Sequence, residues 1–380
     1  IDHTGPMGEL PAVKHILRGT FDFPPDTDPW TRAILQEAAI AFQHMSPNEV
    51  VTMVTAEDFQ RYWLTSREVT SSSYSNMHFG IYMANARNMK LATLHAAKLS
   101  LAAKLGITLD RWHKSLTVLL EKTFGCTLIK KLRAICLMEA DYNWLMKIVF
   151  AKRMMDNARK KGLVPHEQFA KAGSKCQDGA LVKTLCYDMP RVLHKTSAVC
   201  SVDFFSCYDS VAHPIASICL QAWGVPLVMV KVMLSVLQTM RFFLRTGYGD
   251  ATVSYGGTPE DPLGGLGHGN GAAPPAFTAV SSLLLLAYMK MGHGVTIQCA
   301  MTGVLFAIAA IIYVDDTDLL HWARSSGMTD EEFLAQVQQA TLDWGKLAIA
   351  SGGSLKPEKC WWYMMSFRFK NGHAIYTLGP

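Results

Sequence analysis

The chain has 380 residues, 49% hydrophobic and 18% charged, which excludes an intrinsically disordered protein and leaves room for two or three subdomains. The net charge of +5 is mild but uneven: residues 111–161 hold twelve Lys or Arg against four acids, an asymmetry that points to a polyanionic partner. Nine cysteines without a C-x-x-C pair, mostly set among apolar residues, argue against a zinc site or disulfide framework and for reduced thiols inside a cell.

The start at Ile1 and the stop at "YTLGP" in mid-pattern read as the ends of a fragment, and no signal-peptide pattern opens the chain. Residues 1–30 are loop-rich, and 31–110 look helical, interrupted by a polar loop at 70–76. Apolar spacing in "NARNMKLATLHAAKLSLAAKLG" predicts a helix closed by Gly106. Two short strand-like runs, "SLTVLL" and "AICLM", flank a basic turn and lead into a helix over 141–161. "SAVCSVDFF" (197–205) reads as a buried strand with Asp203 near its end, followed by a helix that begins at Pro214 and stops at Gly224.

A further helix is expected over 226–245, then the Gly-rich segment "YGGTPEDPLGGLGHGNGAAPPAF" and an apolar helix over 276–290. The apolar runs at 276–289 and 300–314 fall short of the about 18–20 residues a spanning helix needs, so both read as core elements and no membrane is expected. The second run predicts a strand over 304–314, a tight turn, and a strand over 317–323, with Asp supplying the positive φ that two-residue turns demand. An amphipathic helix over 329–350, the loop "SGGSLKPEKC" and another strand complete the order. This sequence of elements suits an α+β fold, a small mixed sheet backed by helices.

The chemistry lies in "YVDDTD". If Asp203 ends one strand and Asp315 and Asp316 tip a neighbouring hairpin, three carboxylates converge, and such groups repel unless a cation intervenes. Mg²⁺ suits carboxylates that share a site with substrate phosphates. Taken alone, an Asp–Asp turn is more often structural, Asp209 reads as a helix N-terminal residue, and Asp318 reads as solvent-facing.

"IIYVDDTDLL" resembles the Y-x-D-D hairpin of reverse transcriptases, and "SVDFFSCYDSVAH" resembles their first palm motif. "LRAICLMEADYNWLMKIVFAKRM", "HEQFAKAGSKCQDGAL", "GLGHGNGAAPPAF" and "GGSLKPEKC" resemble further blocks in the family's order, so the likeness spans about 110–368, closer in flavour to non-LTR retrotransposon or group II intron enzymes than to retroviral ones. It implies a right-hand fingers–palm architecture lacking most of the thumb: 1–80 without an assigned role, fingers over 81–200, and palm over 201–380 with a fingers return at 226–261.

The resemblance also implies residue roles. Asp203, Asp315 and Asp316 would hold two Mg²⁺, with Mn²⁺ as a substitute, and Lys359 would protonate the leaving pyrophosphate. Tyr208 would exclude a 2′-hydroxyl, Lys122 and Arg133 would face the triphosphate, and His268 and Gly269 would serve the nucleotide. The partners implied are an RNA template, a DNA or RNA primer and dNTPs, in the cytoplasm or nucleus; no oligomeric state follows. The chain departs from the pattern at His268 (usually Gln), Ala273 (usually Ser) and Ala134 (often Pro). Three rivals stand beside this reading. One is a viral RNA-dependent RNA polymerase, against which Val314 and Tyr208 argue; another is a non-catalytic nucleic-acid-binding remnant of a mobile element; the third, a membrane protein, would require detergent for solubility.

Overall fold

The computed structural model describes residues 10–377 except 47–48, 71–72, 300 and 326, and leaves the Lys130 side chain undescribed. Both chain ends and part of the polar loop expected at 70–76 therefore lie outside the described residues. The fold is mixed α+β and divides into two compact units. Among the described residues, one comprises 10–20, Ala39–Lys161 and Tyr208–Phe277; the other comprises Phe21–Ala38, Gly162–Cys207 and 278–377.

The first unit contains the helices α1 (Pro11–Leu17), the end of α2 (Pro29–Gln43), α3 (Ala56–Trp63), α4 (Phe79–Ala86) and α5 (Met89–Leu105), the last closed by Gly106 at φ 72°. Aromatic residues of α3 and α4 share a core with Trp144, in which Trp63 stacks on Tyr82 at 4.5 Å and Phe59 and Trp144 meet edge to face at 5.5 Å. The runs at 116 and 134 form β1 (Lys114–Glu121) and β2 (Leu132–Leu137), an antiparallel pair. The following helix, α6 (Ala140–Met146), widens into a π-helical stretch over Lys147–Met154 before α7 (Met155–Lys160).

The second unit is built on a sheet whose central strand is β3 (Ser197–Asp203). The helix α8 (Cys176–Val192) precedes it, an element with no counterpart in the sequence reading. Gly179 and Pro190 lie inside that helix and disguise its periodicity. Beyond β3 the chain returns to the first unit with the short helix α9 (Cys207–Ser210), α10 (His213–Ala222) and α11 (Leu227–Gln238). The helix expected over 226–245 stops at Gln238, because "RFFLRT" pairs instead as β4 (Arg241–Thr246), parallel to β1, with β5 (Gly249–Gly256) closing the order β2-β1-β4-β5.

The helix α12 (Ala273–Lys290) leads to β6 (Val295–Gln298), also unforeseen. The strand expected over 304–314 is broken at Ala309 into β7 (Leu305–Ile308), which pairs with β6, and β8 (Ala310–Tyr313), which pairs with β9 (Asp316–Trp322). The helix α13 (Asp330–Ala350) starts on a Thr329/Glu332 capping box, and β10 (Trp361–Lys370) and β11 (His373–Thr377) finish an antiparallel sheet of order β11-β10-β3-β9-β8. Val199 of β3 joins a cluster with Phe169, Cys186, Leu320 and Trp322, and residues on both faces of the strand are buried.

These units do not follow divisions at 80/81 and 200/201. Strand pairing sets them: β3 draws 162–207 to the strands after residue 295, and β1 draws β4 and β5 back to it. All nine cysteines are free; Cys186, Cys200, Cys207 and Cys219 are buried, while Cys176 and Cys299 are exposed. Among the described residues no helix is long and apolar enough to cross a membrane.

Candidate functional site

In the second unit, β3 and β9 run antiparallel in a register that sets Cys200 opposite Leu319 and Asp203 opposite Asp316. Tyr313 pairs with Asp316 across a two-residue turn, so Val314 and Asp315 form the hairpin tip. The positive φ demanded there falls on Val314, at 62°, and not on an aspartate as the sequence suggested. A β-branched side chain is strained in that region, which marks the tip as held by its surroundings.

The loop after α13 brings a cation to the same end of the sheet. Its backbone fastens to the end of β3: the Phe205 amide donates to the Ser354 carbonyl at 2.9 Å, and the Lys356 amide to the Asp203 carbonyl at 2.9 Å. The turn Pro357–Lys359 then delivers the Lys359 ammonium, which donates to Asp203 Oδ2. Asp203 is largely covered, whereas the Lys359 side chain is 56% exposed, so this ion pair is open to water and to exchange.

The carboxylates feel one another. Asp316 is pushed above the usual carboxylate range, first by burial and then by the charges of Asp315, Asp203 and Asp318, with Lys359 offsetting part of this. Lys359 is raised by its hydrogen bond to Asp203 and by that residue's charge, with Asp315 and Asp316 adding to the effect. Asp318, expected to face solvent, instead accepts from Lys183 of α8 at 2.7 Å, and that ammonium also lies 5.5 Å from the Trp361 ring. Because α8 was not foreseen, neither was this partner.

Among the described residues no three His, Cys, Asp or Glu side chains are grouped as metal ligands, and Asp203 is held by Lys359. The donor chemistry still fits a hard cation. Asp203, Asp315 and Asp316 offer only carboxylate oxygen, and the repulsion acting on Asp316 is what a divalent ion relieves.

The remaining candidates lie in the first unit. Tyr208, half-buried, meets His268 edge-on at 5.5 Å and Phe277 at 5.9 Å. The Leu266 amide donates to the Tyr208 carbonyl at 2.6 Å, tying the Gly-rich loop to α9, and Asp209 sits in the first turn of that helix. Gly269 has φ 95°, and a methyl group there would lie 2.2 Å from the Cys136 carbonyl oxygen, so the close approach this glycine permits is to β2. Asn143, which carried no signal in the sequence, clamps the loop by donating to the Gly269 carbonyl at 3.1 Å and accepting from the Gly271 amide at 2.6 Å. Lys122 and Arg133 are exposed at the turn end of the β1–β2 hairpin, where Arg133 stands opposite Leu120.

The structure thus defines an α+β protein with a carboxylate-tipped hairpin beside a lysine. Compared with known protein families, the chain matches no family model, and no curated protein matches it.

Proposed function

We propose that the chain is an RNA-directed DNA polymerase of the reverse transcriptase class, extending a primer 3′-hydroxyl with deoxynucleotides on an RNA template. The supporting observation is the cross-strand pairing of Asp203 with Asp316, which joins two motifs distant in sequence at one sheet end beside Asp315 and Lys359. Asp203, Asp315 and Asp316 would hold Mg²⁺, which when bound supplies charge neutralisation for phosphoryl transfer. Lys359, released from Asp203, would carry the proton for the leaving pyrophosphate. The roles of Tyr208, His268, Gly269, Lys122 and Arg133 rest on the sequence resemblance.

One observation favours a second reading. Lys359 already neutralises Asp203, as a lysine would in a nucleic-acid-binding protein that has no use for a metal. Primer extension on an RNA template with dNTPs and Mg²⁺ separates the two, with Asp203→Asn and Asp315→Asn as controls. Extension by the unsubstituted chain alone is the expected outcome. Failure of all three proteins, each folded and binding RNA, favours the non-catalytic reading, and equal extension by all three removes the carboxylates from the mechanism.

A further inference from the structure

We propose that a cavity of the second unit, lined by none of Asp203, Asp315, Asp316 and Lys359, binds inorganic phosphate. The cavity has a volume of about 240 Å³, and its lining includes Lys195, His293, His321, Arg324 and Gln336 but no Asp or Glu.

Its construction follows from the sheet. Ser197 of β3 stands opposite Trp322 of β9, and the Ala323 amide donates to the Thr196 carbonyl at 2.8 Å. That pairing brings Lys195, just before one strand, and Arg324, just after the other, to a single opening. Two cations meet there without an acid in the lining, an arrangement that repels itself until an anion enters. The third wall is Gly292–Thr296, where glycines at φ 86° and 109° flank His293. Asp343 accepts from His293 Nε2 at 2.8 Å, from Trp30 Nε1 at 3.0 Å and from Gln339 Nε2 at 3.2 Å, so its charge is engaged behind the histidine and outside the lining.

Two residues of the lining, one on β9 and one on α13, have buried polar atoms that lack partners. His321 is 2% exposed and its Nε2 has no hydrogen-bond partner; Gln336 donates to the Trp322 carbonyl at 3.0 Å, but its buried Oε1 accepts from nothing. Buried polar atoms are nearly always paired, so an unpaired imidazole nitrogen and an unpaired amide oxygen in one lining call for a ligand with both an acceptor and a donor. Monohydrogen phosphate has both: a phosphoryl oxygen accepts from His321 Nε2–H, and its P–OH donates to Gln336 Oε1. Sulfate lacks that hydroxyl at neutral pH, which gives the site a criterion for choosing between two ions of the same size and charge.

The inference does not rest on the polymerase reading. Calorimetric titration of the full chain with inorganic phosphate, glycerol phosphate and sulfate, together with NMR of the histidine rings, tests it. Saturable one-site binding is expected, at least tenfold tighter for phosphate than for sulfate, with a shift of the His321 ring resonance. Arg324→Glu, an exposed substitution compatible with folding, should weaken binding at least tenfold; Gln336→Leu should narrow the preference over sulfate; Asp315→Asn should leave binding unchanged. Tighter binding of inorganic phosphate than of glycerol phosphate sustains the site; tighter binding of glycerol phosphate, whose dianion carries no P–OH, overturns it. Absence of saturable binding, binding undiminished in Arg324→Glu, or an unmoved His321 resonance would show a water-filled cavity and overturn the proposal.

Discussion

Val314 occupies a left-handed backbone conformation that costs an ordinary L-residue about 1–2 kcal/mol. Asparagine tolerates it better, so Val314→Asn should raise the unfolding free energy by about 1 kcal/mol, seen as a higher urea midpoint at unchanged slope. Asp316 is a second strained residue. Its folded-state proton affinity is raised, so its contribution to stability is present in acid and lost as pH rises through its elevated value. Asp316→Asn should therefore be more stable than the parent at pH 7, by a few tenths to about 1 kcal/mol for relief of a like-charge cross-strand pair, with the gain vanishing at pH 3. The same variant should lose primer extension, the trade expected where a site holds repelling charges for a purpose. His321 runs the other way: burial, helped by His293, lowers it to about 4, against about 6.5 unfolded. The unfolded chain then binds the extra proton, so stability falls as pH drops from about 6.5 to 4, by up to about 1.4 kcal/mol per pH unit. Denaturation of His321→Gln at pH 7 and pH 5 should show a shallower loss than the parent.

Among the elements, those with strong internal signals were legible. The α5 helix with its Gly106 cap, the apolar strand β3 and the helix α13 behind Thr329 each carry both period and punctuation in their own residues. Elements whose identity depends on a distant partner were not. β4 continues an apolar run that reads as helix until β1 claims it, and the run before Tyr313 reads as one strand because nothing local reveals that β7 and β8 have different neighbours. The α8 helix was hidden by the residue that lets it pack. A methyl group at Gly179 would come within 3.2 Å of Ile311 Cγ2 and 3.3 Å of the Phe169 ring. Gly179→Val should accordingly cost about 1–3 kcal/mol through overpacking, despite the better helix former, and a thermal melt would register it directly.

For the whole chain, motif order and spacing brought Asp203, Asp315, Asp316 and Lys359 to attention before any geometry was known; Asp203 stands opposite Asp316 and holds Lys359. The pairing of Lys359 with Asp203 was not legible, because a motif names residues without naming their resting partners. The division into two units was equally hidden, since it depends on which strands pair and not on any linker. β3 lies between β9 and β10, and both are made after it. During synthesis the central strand of the second unit must wait from residue 203 until residue 316 emerges, of the order of 10 s at about 5–20 residues per second, before its first neighbour exists. Over that interval an unpaired, β-prone edge is open to other chains, so the yield of folded protein should depend on translation rate and on holding factors that cover residues 197–203.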